Sequence, residues 1–193
     1  MLKIRIHAWR GLFPLVSISD PGPWLQFLPV TKLQFTRTLP EWGRPPEQLI
    51  QTDVSHAEAG EWVRNISTQA TLPTEQVWRE FAVRAAQIPF TRGLKSQLQQ
   101  TGLTADAAIQ LDQLLGVAQP RTLAEAMLLE HGTLEWVTRA FGQPLGVMGL
   151  PRQEFFGHTR TAESPAFEVA SDAASPVIGF RPMVLLPVRD FPI

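Results

Sequence analysis

Along the first nine residues, apolar Leu2, Ile4, Ile6 and Ala8 interleave with Lys3, Arg5, His7 and Trp9. That period of two predicts a half-buried strand over 2–9. Apolar stretches Phe13 to Ile18 and Trp24 to Thr36 flank Asp20-Pro21-Gly22-Pro23, a strong turn signal, and read as strand, turn, strand. Residues 38–72 carry Pro40, Gly43, Pro45, Pro46 and Gly60 without sustained periodicity, so they read as an irregular connection with one short element near Ala57 to Ile66.

From Pro73 the period becomes helical. Val77, Phe81, Ala85 and Ile88 form one stripe, widened by Trp78 and Ala82, and Pro89 should stop the helix. Three segments then share their punctuation: Thr104 to Gly116, Thr122 to Gly132 and Thr133 to Gly142. Thr can cap the free amides at each start, and Gly can take the left-handed conformation that ends a helix. Thr122 with Glu125 has capping-box spacing. Leu134, Val137 and Phe141 supply the inner face expected for the last helix.

Beyond Gly142 the helical period disappears. Residues 145–150 and 167–170 read as short strands, and Val177 to Val188 as a longer apolar run interrupted by Pro182 and Pro187. Proline cannot donate to a ladder, which predicts a sheet edge or a bulge for that run. The first strand and this last run are expected in one sheet, since each half-buried pattern needs partners. The chain is thus predicted to be a single α+β domain: 1–40 β-rich, 41–72 an irregular connection, 73–142 an array of about four to five short helices, and 143–193 β-rich and loop.

Composition narrows the chemistry. The chain has 193 residues, 44% hydrophobic and 18% charged, which suits a packed core. With no Cys, disulfides, thiolate chemistry and cysteine metal sites are excluded. A net charge of -1 provides no overall field to hold nucleic acid or an anionic membrane, so such binding would have to be local. Of 17 Lys and Arg residues only Lys3, Lys32 and Lys95 are lysines, and the arginines are scattered. No secretory signal pattern or membrane helix is visible, which makes the expected location cytoplasmic, or within a particle assembled in the cytoplasm.

Motifs with reactive chemistry are scarce. His7, His56, His131 and His158 show no metal-ligand spacing, so no metal or cofactor is expected. His158, near Arg160 in a Gly-containing loop, is where an unmarked enzyme site would be sought. No nucleophile elbow, Walker loop or dinucleotide fingerprint is present. The stretch Gly93 to Gly116 has helix-turn-helix spacing, yet Thr104 to Leu115 exposes Asp106, Gln110, Asp112 and Gln113 and no cation for phosphates. Ile178-Gly179-Phe180-Arg181-Pro182 is similar to the closing strand of C-type-lectin-like and formylglycine-generating-enzyme-like domains. The likeness covers those residues alone, and the long helical middle departs from both families, so no family is assigned from it.

There are 6 Trp and no Tyr. Trp9, on the polar parity of the first strand, and Trp42, in a Pro/Gly-rich loop, are hardest to place in a core. With Arg44, Pro45 and Pro46 they are the expected protein interface, because Trp offers a large contact area and Pro-rich loops lose little entropy on docking. The expected function is therefore that of a non-catalytic structural or assembly subunit of a larger complex, such as a phage particle or a bacterial multi-subunit machine. Its partners would be other protein subunits, with no membrane. A nucleic-acid-associated protein using a local Arg-lined surface, or an enzyme near His158, are the alternatives.

Overall fold

The computed structural model describes residues 4–7, 14–19, 22–36, 49–101, 105–129, 133–140, 145–149, 165–170 and 172–184. The fold is α+β, with two sheets and the helices between and around them. The expected strands appear as β1 (Arg5–His7), β2 (Leu15–Ser17) and β3 (Trp24–Gln26), which pair antiparallel in order as an N-terminal meander. Helix α1 (Lys32–Thr36) follows, so the second half of the Trp24 to Thr36 stretch is helical rather than extended. Thr31 and Gln34 set its start, each bonding the other's backbone amide through its side chain.

The short element expected near Ala57 to Ile66 is helix α2 (His56–Ile66), with Ser55 and Glu58 in a complete capping box, and strand β4 (Ala70–Thr71) follows it within the stretch read as irregular. Helix α3 (Glu75–Ala85) matches its pattern closely: Thr74 caps it, and Trp78, Phe81, Ala82 and Ala85 are the buried stripe. Helices α4 (Arg92–Gln99), α5 (Ala105–Ala118) and α6 (Leu123–Ala126) complete the helical middle. The cap at Thr122 is present, accepting from the Glu125 amide at 3.2 Å.

Two helix stops differ from the glycine punctuation. Gly116 lies inside α5, exposed and with no atom within 4 Å of where a Cβ would sit. The helix ends instead at Gln119, whose φ of 40° is left-handed and whose amide reaches the Leu115 carbonyl at 3.1 Å. Helix α6 ends at Leu128 (φ 57°), with the Leu128 amide on Glu125 and the Leu129 amide on Ala124, the two bonds of a Schellman motif. A left-handed residue need not be Gly when the bonds it closes outweigh a strain of about 1 kcal/mol. Gly102, Gly132, Gly142 and Thr104 lie outside the described residues.

The third predicted helix is a strand. β5 (Leu134–Val137) runs between β6 (Gly146–Met148) and β8 (Ile178–Gly179), antiparallel to the first and parallel to the second, and β7 (Phe167–Glu168) pairs with β6. All residues of β5 are buried. With both faces covered, an i, i+3 coincidence of Leu134 and Val137 could pass for a helical stripe.

The last apolar run is divided between the sheets. Ile178–Gly179 belongs to the four-stranded sheet, β7-β6-β5-β8, while β9 (Met183–Val184) enters the five-stranded sheet, β1-β2-β3-β9-β4. The first and last strands therefore share a sheet, as their patterns require. The edge position expected from Pro182 does not hold, because β9 is interior, between β3 and β4. Pro182 sits at the crossing just ahead of the ladder, where its carbonyl accepts from the Gln26 amide at 3.0 Å and no donor is called for.

Strand alternation assigns neighbouring side chains to two apolar clusters. Val16, Leu25, Val137, Met148 and Met183 join the buried faces of α3 to α6, whereas Leu15, Trp24, Leu134, Trp136, Val147 and Val184 join Ala59 and Val63 of α2. The inner strands β2, β3, β5 and β6 are thus buried on both faces, whereas β1 and β7 at the sheet edges are only partly covered.

Candidate functional site

Where the chain crosses from one sheet to the other, Arg181 is fully buried beside a fully buried Glu135. The pair is bidentate, with Nε and Nη2 of Arg181 donating to the two carboxylate oxygens of Glu135 at 2.6 Å each. The second Nη2 proton goes to the Met127 carbonyl at 2.7 Å, and Nη1 serves the carbonyls of Gln26 at 2.9 Å and Phe27 at 3.1 Å. Trp78 Nε1 donates to Glu135 at 3.1 Å. A guanidinium carries five N–H donors, and here every one has an acceptor. Burying two charges is expensive, and this level of saturation is what makes it tolerable.

The backbone prepares each acceptor. Extended β5 sends Glu135 to the face shared with Val137, toward α3, where Trp78 lies in the buried stripe. The left-handed turn at Leu128 ends α6 beside the Met127 carbonyl that receives Arg181. Chemically the arrangement holds two opposite charges in place and leaves neither a guanidinium proton nor an exposed carboxylate edge for a substrate.

A second polar cluster lies nearer the surface. Glu75, first residue of α3, accepts from Arg139 Nε at 2.9 Å and the Ala166 amide at 3.1 Å and pairs with Arg79, while Arg139 also meets Glu168 at 3.3 Å. Burial works to raise the Glu75 pKa, but the Ala166 amide and the two guanidinium groups hold it below the ordinary carboxylate value.

His56 begins α2 with its Nε2 buried and without a hydrogen-bond partner, its ring edge-on to Trp136 at 5.6 Å. Burial, aided by Arg64, pushes its pKa down. A cation there would also face the positive end of the helix dipole. Among the described residues no group of three His, Asp or Glu is placed to hold a metal.

The described tryptophans are committed within the chain. Trp24 is buried beneath the Arg5 guanidinium at 5.1 Å, and Trp136 donates to the Val54 carbonyl at 2.7 Å. Half-buried Trp62 stacks on Phe35 at 6.1 Å, and both meet buried Phe180 edge-on at 5.4 and 6.0 Å. Trp9, Trp42, Arg44, Pro45 and Pro46, the expected interface, lie outside the described residues, as do His131 and His158. In the helix-turn-helix stretch, Asp112 is engaged by Lys95 at 3.0 Å and Gln99 at 2.9 Å, which makes α4 and α5 a mutually bonded pair.

Sequence reasoning missed Glu135 and Arg181 as partners. The available signal was a lone acid inside an apolar Leu-Glu-Trp-Val run and a lone base inside another, each costly to bury without the other. No protein-family model, curated protein or solved structure matches the chain.

Proposed function

We propose that this protein is a non-catalytic structural or assembly subunit of a larger protein complex, working through protein contacts made by Trp9, Trp42 and the Arg44, Pro45 and Pro46 stretch. The observation that supports this most is the saturation of Arg181 and Glu135. The most deeply buried charged chemistry of the described chain is spent on joining its own sheets. Arg5, Arg79, Arg121 and Arg139 likewise engage Trp24, Glu75, Glu125 or Glu168, which leaves fewer cations for a phosphate-binding surface. Among the described residues no helix is long and apolar enough to cross a membrane.

Light scattering on the purified chain and on complexes isolated under native conditions tests the proposal. A mass well above that of one 21.5 kDa chain, reduced by Trp9→Ala or Trp42→Ala with little change in melting temperature, is the expected result. A monomer under all conditions, whose melting temperature falls on either substitution, would count against it.

A further inference from the structure

Strand β9 lies between β3 and β4, which are hydrogen-bonded to it and not to each other. At its C-terminal end, segment 178–184 therefore fills a slot between β3 and β4, while Ile178 and Gly179 at its other end pair with β5 of the second sheet. Ile178, Phe180, Arg181, Met183 and Val184 of the segment are all buried. Its carbonyls at Phe180 and Pro182 accept from Val30 at 2.8 Å and Gln26 at 3.0 Å. At the floor of the slot, Glu135 and the carbonyls of Gln26, Phe27 and Met127 together match one guanidinium. The slot thus selects an extended segment by its backbone and an arginine by its charge and fork geometry.

We propose that this slot is a strand-accepting interface and that its occupant in trans is segment 178–184 of a second copy, so that two chains can exchange these segments. A second copy presents the same arginine and the same apolar knobs, and every contact made within one chain is available between two. The choice is then set by concentration. Tethering gives the chain's own segment an effective concentration of about millimolar, so exchange appears when copies fold together at comparable density. This inference goes beyond the interface at Trp9 and Trp42 and does not depend on it.

The absence of cysteine permits a direct trap, because Leu25 and Met183 are register partners across β3 and β9. Full-length Leu25→Cys and a size-tagged full-length Met183→Cys chain are unfolded together and refolded at ~10 μM to ~1 mM, spanning the tethered effective concentration. A disulfide-linked heterodimer is expected whose yield rises with concentration, and which is absent when the two chains are folded separately and then mixed. No heterodimer above that formed by Met183→Cys with exposed Ser96→Cys overturns the proposal. One chain carrying both Leu25→Cys and Met183→Cys shows that the pair can close. If it does not fold, Thr71→Cys replaces Leu25→Cys, since Thr71 is the partner of Met183 on the other side. Adding Arg181→Lys to the Met183→Cys chain, which keeps the charge and loses the fork, should reduce the heterodimer at least tenfold while the variant retains a cooperative melting transition by itself, and an undiminished yield would overturn selection by the guanidinium.

Discussion

Two Glu–Arg clusters in this protein use the same functional groups to different ends. Glu135 and Arg181 are wholly buried, and each is surrounded by bonding partners from the rest of the chain. Glu75 and Arg139 sit nearer the surface, where Arg79 and Glu168 share them and water can substitute. The difference shows that the worth of an ion pair lies in what is stranded when it breaks. Loss of Arg181 leaves a buried carboxylate held by Trp78 alone and takes a donor from three carbonyls, whereas loss of Glu75 leaves partners that can turn to solvent.

The largest effect should follow from breaking the buried pair. Arg181→Met is expected to lose about 3–5 kcal/mol of stability, enough to unfold a marginal domain, with Glu135→Gln less severe because an amide oxygen can still accept. Urea titration measures this, and a loss below about 1 kcal/mol for Arg181→Met would mean that the carbonyls find other donors. Thr122→Ala removes the observed cap of α6 and should cost about 1 kcal/mol by the same measurement.

At the outer cluster, Glu75→Gln should cost no more than about 1 kcal/mol. A cost equal to that of Arg181→Met would erase the distinction drawn between the two sites. Gln119→Gly tests the helix stop in the opposite direction: relief of the left-handed strain should raise stability by up to about 1 kcal/mol, seen as a higher melting temperature. Gly116→Ala, on an exposed helical position with open space, should add a similar increment, and a loss there would place a close neighbour over that face.

The smallest effects concern pH. His56 has a folded pKa below 6.5, so the unfolded chain binds its proton more readily; its contribution is present above that value and is lost as pH falls below it. Glu75 is depressed below 4.5, and its contribution is likewise present above that value and lost on further acidification. Stability measured from about pH 8 down to about pH 2 should therefore decline in two stages. His56→Phe should flatten the upper stage and Glu75→Gln part of the lower, which Glu58 and Glu125, also held below 4.5, share; an unchanged upper slope in His56→Phe would show that the orphaned ring nitrogen has no energetic consequence.

Helix α3 was legible from local information because its stripe and the following Pro89 lie within one short stretch of chain. The first strand, the strand-turn-strand after it and the α+β class followed from periodicity for the same reason. Left-handed stops at Gln119 and Leu128 were not legible, since neither residue type advertises that conformation and only the bonds it closes make it favourable. The expected interface at Trp9, Trp42, Arg44, Pro45 and Pro46 rests on residue type and loop composition alone. Beyond these local features, tertiary structure decided that Leu134–Val137 is extended, that residues 178–184 pass from one sheet to the other, and that Glu135 meets Arg181. Burial on both faces erases the alternation that distinguishes strand from helix, and a buried charge declares its role only when its partner, 46 residues away, is brought against it.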